Sequence, residues 1–334
     1  MSRYIWNVFR EFRCIADACP DSCCKGWIVD VDEISAEYYR NLEGPLGDRL
    51  RQVLKTEEGQ AFMELEDDRC PMWRQDKLCE IQAQLGHDGL CQVCREYPRL
   101  IMDYGDFVEY GLELSCPEAA RLIFRGITVE QDLEHSGEEP EYDRDMMEIL
   151  ELSRREMVNF WEQGEQDVPT KLAVTLMYAH QQHDPQMVDV SECIAMAKKY
   201  AGQGNLGLLL DFFKEREILT EEWMHRLNHP QPGNWDPRLK HLAIYLIRRY
   251  WLQSVWDFDL ICRVKFILAA CIVVNALGGD PVQTAQLFSK EIENDPDNRE
   301  AIFDAAYSHP AFTDANLLGT VLQLTMDNGQ LTMI

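Results

Sequence analysis

A chain of 334 residues and 38.8 kDa is long for one domain and points to two. Its 46% hydrophobic and 27% charged content excludes a disordered chain, a collagen-like chain and a small disulfide-stapled scaffold. With 58 acidic against 32 basic residues the formal charge is −26, and a surface that acidic repels nucleic-acid phosphates and anionic lipid, so neither is an expected partner.

From Met1 the chain runs straight into mixed polar sequence, without the apolar stretch of a secretory signal. Nine of the twelve cysteines fall within the first 116 residues: Cys14, Cys19, Cys23, Cys24, Cys70, Cys79, Cys91, Cys94 and Cys116. Gly26–Asp32 and Phe107–Leu114 alternate like short strands, and Ser35–Leu54 and Glu80–Leu85 carry helical patterns. Ser115-Cys116-Pro117-Glu118 has the form of a capped helix start, which accounts for Glu118 without a catalytic role, and the helix it opens stops at Gly126.

From Val129 to Asp167 fourteen acids face three bases, so this stretch supplies eleven of the 26 net negative charges. Its first part, through Pro140, reads as a linker, and its second part spaces Met146, Ile149, Leu150, Met157, Phe160 and Trp161 as a helix. The acidic run is read as a solvated face, with attraction of a lysine-bearing segment as the sharper alternative. The remainder is expected to be all-helical. Asp236-Pro237 and Asp280-Pro281 are both helix starts of the N-cap and first-turn proline kind. Cys193, Cys262 and Cys271 lie in apolar helical patterns and read as small buried hydrophobes. Gly202-Gln203-Gly204-Asn205-Leu206-Gly207 spells a nucleotide-loop string, but what precedes it is helical, so it reads as a helix-ending loop. The most apolar run, Phe266–Leu277, is shorter than the ~20 residues a membrane span needs. The chain is expected to be cytoplasmic, where thiols stay reduced and clustered cysteines point to metal or redox chemistry.

Thiolates select zinc, copper(I) or iron–sulfur centres, and nine cysteines exceed what one zinc or one cluster uses. Their odd number precludes complete internal disulfide pairing. There is one true Cys-x2-Cys, Cys91 to Cys94, and His87 is the nearby histidine, so the pattern is neither a common zinc ribbon nor a bacterial ferredoxin run. Spacing therefore indicates a thiolate metal site and leaves zinc and iron as alternatives. Adjacent Cys23 and Cys24 point apart in extended backbone, so a tight turn beside Gly26 is needed for both to serve one centre. Arg99, after Tyr97-Pro98, is a candidate for binding a substrate carboxylate or for a structural ion pair.

Four ordered blocks resemble the flagellin lysine-N-methylase family with its CxxCxxxCC metal-chelating domain. They are Phe12 to Trp27 with Cys14, Cys19, Cys23 and Cys24; Arg69-Cys70-Pro71 with Leu78-Cys79-Glu80-Ile81; Cys94 to Arg99; and Leu114 to Glu118. The resemblance covers about the first 125 residues. It implies a bacterial cytoplasmic enzyme that methylates lysine ε-amino groups of flagellin or a similar protein, with S-adenosylmethionine as methyl donor and a [4Fe–4S] cluster, zinc being the alternative metal. Carried over position by position, it implies Cys14, Cys19, Cys23, Cys24, Cys70, Cys79, Cys94 and Cys116 as metal-ligand candidates; Cys91 has no clear place in the pattern. A cubane uses four thiolates, so some of the eight have other work or serve a second centre. The catalytic residues and the methyl-donor site are not indicated. The fold class expected is mainly α, with a small cysteine-rich α+β metal-binding domain at the N-terminus. The division expected is a cysteine-rich domain over 1–126, an acidic linker and connecting helix over 127–167, and an all-helical domain over 168–334. The competing function is a non-catalytic zinc or iron–sulfur adaptor whose helical half docks a partner.

Overall fold

The computed structural model describes residues 2–133, 140–181 and 188–326. The chain is mainly α, as expected, with two small sheets in its first 133 residues. Strands β1 (Ser2–Trp6), β2 (Val29–Val31), β3 (Leu54–Glu57), β4 (Gln60–Met63), β5 (Arg99–Asp103), β6 (Phe107–Leu112) and β7 (Val129–Leu133) follow in chain order. The larger sheet has the order β5-β6-β1-β7, and the smaller β2-β4-β3. β1 runs parallel to β6, pairing Ser2 with Phe107 and Ile5 with Tyr110. This pairing leaves no room for a side chain at Gly111, where a Cβ would lie 2.8 Å from the Trp6 ring.

Three local expectations are corrected. The segment expected as one helix over 35–54 forms two, Glu33–Asn41 and Gly44–Val53, because Gly44 takes φ +84° and Pro45 has no N–H to continue the first helix. The acidic stretch expected to open as a linker instead forms β7 on the edge of the larger sheet, antiparallel to β1. Its charged residues suit an edge strand, since they keep a sheet edge from pairing with another chain. Residues 134–139, the rest of that expected linker before Pro140, lie outside the described residues. Asp236 does not cap a helix: the next one, Leu239–Tyr250, starts after Arg238, and Asp236 instead accepts the Arg238 N–H at 2.8 Å.

Two hydrophobic cores are present. One extends from Trp6 through β5 and β6 to Val321 and contains the centres of most later helices. Helix Leu260–Leu277 runs through it. At 18 residues it is long and apolar enough to cross a membrane, more than the run 266–277 suggested, yet 94% of it is buried inside the protein. A helix apolar on every side belongs in such a core. Its two charges are answered locally: Lys265 Nζ donates to the Ala306 carbonyl at 2.8 Å, and Arg263 pairs with Asp257 at 2.8 Å. The second core is small and lies in the cysteine-rich lobe, where Val29, Val31, Tyr39, Leu50 and Met63 pack with Cys24, Cys70 and Cys91. Cys116, by contrast, belongs to the first core.

Candidate thiol site and adjoining cavity

All twelve cysteines are free. Cys193, Cys262 and Cys271 are buried in the helical body as expected. A turn at Cys23–Cys24, followed by Gly26 at φ +94°, brings those two neighbours' thiols together. Backbone bonds fix this turn against the next cysteine segment: Cys70 N–H donates to the Cys24 carbonyl at 2.8 Å and Gly26 N–H to the Asp68 carbonyl at 3.2 Å. Glycine is favoured here because a φ of +94° is one that L side chains rarely adopt, and a Cβ would also press on Lys290 Cε at 3.2 Å.

Cys79 precedes helix Glu80–Leu85, and Cys91 precedes helix Gln92–Glu96, which carries Cys94 one turn on. Asp32 secures the second of these by accepting the Gln92 N–H at 2.8 Å, while also capping helix Glu33–Asn41 through the Ser35 N–H at 2.9 Å. One carboxylate thus anchors β2 and two helices.

The thiols meet in small groups. Cys24 interacts with both Cys23 and Cys79 and keeps the proton: the two sulfurs push its thiol far up, whereas theirs are pulled down. Cys79 falls to about 6, chiefly because of Cys24; burial opposes the fall, and the Gln82 and Ile81 N–H groups of the following helix add to it. Cys91 and Cys94 form a second pair, in which Cys91 is lowered by Cys94 and Cys94 is raised by Cys91. The charges of Cys23 and Cys79 act on Cys94, so the two groups are neighbours. Burial pushes Cys70 up to about 11 and Cys116 up to about 12. Cys19 lies within electrostatic reach of Cys14 and Cys23, and Cys116 of Cys19 and Cys23. Among the described residues, no three His, Cys, Asp or Glu side chains are disposed as a formed metal-ion site. Cys91, which the sequence pattern could not place, stands inside the thiol group, and its Cys-x2-Cys spacing to Cys94 was the available signal.

Cys23 and Cys94 also line a cavity of about 640 Å³ between the lobe and the helical body. Trp27 and Tyr97 stand on the same side, their ring centres 5.7 Å apart. The opposite wall is a widened π turn, Ser289–Glu293, closed by an Asn294 N–H bond to the Ser289 carbonyl at 3.0 Å. Turns of this kind recur at functional sites. Lys290 on it is buried, places Nζ 2.9 Å from Asp21 and 5.1 Å from the centre of the Trp27 ring, and lines a second, more open groove of about 1300 Å³ on its other side. Nothing in the sequence pattern pointed to this wall.

Ser115 does not cap the following helix. Cys116 takes that place without a side-chain bond, while the buried Ser115 hydroxyl meets Tyr97 at 3.1 Å and accepts from Asn294 at 2.8 Å. Glu118 therefore has no capping-box partner; it accepts from Arg121 at 2.8 and 2.7 Å, which holds its carboxyl below the usual range. Arg99 lies over the rings of Phe9 and Phe12, at 5.9 and 5.7 Å, a role different from both that its position suggested. The glycine string at 202–207 follows helix Val190–Lys198 rather than a strand, and Gly204 backs directly onto Gly319, so its spacing serves close packing.

The chain is similar over 120 residues, 34% of its length, to three curated proteins. It is 29% identical to the "Flagellar biosynthetic protein FliU" of Salmonella muenchen, of which the match covers 71%. It is 29% identical to a "Lysine-N-methylase" of Salmonella typhimurium and 30% identical to one of Salmonella choleraesuis, and the match spans only 30% of the length of each. No family model matches the chain. No solved structure matches it either.

Proposed function

We propose that this chain is a bacterial cytoplasmic methyltransferase that acts on lysine ε-amino groups of flagellin or a similar protein, with S-adenosylmethionine as donor and a [4Fe–4S] cluster held by its N-terminal cysteine-rich domain. The observation that carries the reading is the joining of two facts: the similarity to proteins named lysine-N-methylase, and a thiol cluster that opens onto a cavity lined by carboxylates and aromatic rings. The donor rests on that similarity alone.

The thiols suit such a centre by their chemistry. The strongest partners of these thiols are other sulfurs, and the Cys23, Cys79 and Cys91 thiols are biased toward the anion that binds metal. Cys23, Cys24, Cys79 and one or both of the paired Cys91 and Cys94 would hold the cluster, leaving Cys14, Cys19 and Cys116 as a separate group and Cys70 as a buried neighbour. A bound cluster supplies a one-electron redox couple and an iron able to accept electron pairs. The same sulfurs suit zinc, which would make the lobe a structural adaptor.

The chain's own residues have three tasks in this reading. Trp27, Tyr97 and the π turn would flank the reacting groups on the cavity walls. The groove beyond Lys290 would receive the protein segment that carries the lysine; its acids Asp68, Glu222, Asp280 and Asp21 are paired with Lys25, Arg226, Arg238 and Lys290, which leaves Glu221 as its free carboxylate among the described ion pairs. A group in the cavity must take a proton from the substrate lysine, whose ordinary pKa of ~10.4 keeps it protonated at neutral pH.

The test is to purify the full chain without oxygen, measure iron, acid-labile sulfide and zinc per chain, and assay transfer of labelled methyl from S-adenosylmethionine to flagellin. Iron with sulfide and label on lysine is the expected result. Stoichiometric zinc without sulfide, and no transfer, would establish the adaptor instead.

A further inference from the structure

We infer that Glu293, with Glu113 and Asn294, forms a primary-ammonium subsite in the cavity, and that the Glu293 carboxylate takes the proton of the bound amine. The lysine side chain is its intended occupant, a choice that rests on the methyltransferase reading above.

Glu293 ends the π turn and is fully buried, on the cavity wall. Its two oxygens differ. Oε1 accepts from the Tyr250 hydroxyl at 3.0 Å and the Tyr245 hydroxyl at 3.4 Å, and Arg249 Nε lies 3.5 Å away. Oε2 is buried with no hydrogen-bond partner. A carboxylate held by one oxygen presents the other in a fixed direction, and a buried acceptor without a donor calls for a ligand that brings one. The next residue repeats the pattern. Asn294 Nδ2 donates to Ser115 Oγ at 2.8 Å and to Glu113 Oε2 at 3.4 Å, while its Oδ1 is buried and unpartnered. Two adjacent residues of the widened turn thus each leave one acceptor unused.

The missing ligand is a donor, and the charges favour a cation. Arg249 is shared between Glu293 and Glu113, whose oxygen lies 3.9 Å from its Nη2, so these three groups carry one net negative charge. Lys290 does not cancel it, being paired with Asp21. Arg299, which gives a hydrogen bond to the Glu293 backbone carbonyl at 2.7 Å, brings a second positive charge, and Glu217 and Asp295, which also line the cavity, more than offset it. A primary ammonium has three N–H donors and no acceptor, which matches unpartnered oxygens better than an alcohol or an anion does. Proton transfer moves one N–H proton to Glu293 Oε2, leaving a neutral amine and a neutral carboxyl group. Burial, opposed by Arg249, raises the neighbouring Glu113 carboxyl above its ordinary value.

Calorimetric titration of the full chain with n-butylammonium, with n-butanol as uncharged isostere and with methionine as an amino-acid ammonium, tests the subsite. n-Butylammonium is expected to bind at least tenfold more tightly than n-butanol, and Glu293→Gln to lose at least tenfold of that affinity. Equal binding of amine and alcohol, or unchanged binding to Glu293→Gln, would overturn the subsite. Should Glu293→Gln fail to fold by circular dichroism, Glu113→Gln carries the same expectation and the same refutation. If the substitution weakens methionine and leaves n-butylammonium unchanged, the oxygens serve the amino-acid end of a donor and the lysine assignment falls. In the methyl-transfer assay Glu293→Gln is expected to lower kcat roughly 100-fold. Glutamate-dependent butylammonium binding with no methyl transfer by the native chain would leave the subsite standing and remove the methyltransferase reading; transfer unaffected by Glu293→Gln would do the reverse.

Discussion

The lobe between Cys24 and Cys94 carries thiols on and beside helices of five and six residues, whereas the body is threaded by an 18-residue helix buried on nearly every side. Helices that short have no independent stability in water. The lobe's are held by Asp32, by backbone bonds such as Cys70 to Cys24, and by a small core in which three of the buried residues are cysteines. The body relies on continuous apolar burial. Order in the lobe therefore rests on a few hydrogen bonds and a small, cysteine-bearing core, while order in the body rests on extensive packing, and the cavity lies where these two kinds of construction meet.

The largest expected effect tests the lobe. Cys79→Ser combined with Cys94→Ser should remove the metal and strip amide-exchange protection from residues 24–94, with protection kept in Leu260–Leu277. Structural metal binding is worth on the order of 10 kcal/mol in small domains. Unchanged exchange in the lobe would show that its order is independent of sulfur ligation. In the body, Phe266→Ala should cost about 3–5 kcal/mol in denaturant unfolding, since its ring is fully buried against Tyr250, Phe303 and Phe288. A cost below 1 kcal/mol would mean the body's core is not the source of its stability.

At the junction, Lys290→Met should destabilise by about 1–3 kcal/mol, less than a fully buried pair would lose, because Asp21 is partly exposed and regains water. The smallest effect concerns acid. Burial would raise the Asp314 carboxyl, but His180 at 2.9 Å and Lys265 at 3.3 Å more than offset it and hold it below the ordinary range. A depressed carboxylate stabilises the fold above its unfolded pKa of ~3.9 and loses that contribution as pH falls through the lower folded value. Asp314→Asn should therefore cost stability at pH 7 and progressively less as the pH falls through and below the ordinary carboxylate range, a trend seen in thermal unfolding across that range.

How much was legible depends on the range of the interaction. Asp280-Pro281 announces its helix because an N-cap is satisfied within three residues, and the structure shows Asp280 accepting from Val282 and Gln283. The turn at Cys23–Cys24 is signalled by Gly26 in the same way. Ser115 misled because its hydroxyl had two longer-range choices, Tyr97 and Asn294, that outcompete the local cap. β7 was hidden because its partner, β1, lies more than 120 residues away in sequence.

By itself the amino-acid sequence determined the mainly helical composition, the free cysteines and their grouping in the first 116 residues, since periodicity, charge and thiol spacing are local properties. Only the tertiary structure decided which sulfurs touch, that Cys91 joins them, and that Glu293 and Asn294 face the cavity with unused acceptors. The reason is physical. A π turn gains its extra residue only where the surrounding packing holds it, and an oxygen is left without a donor only in relation to neighbours brought from three distant segments, around Glu113, the helix that carries Tyr245 and Arg249, and Glu293.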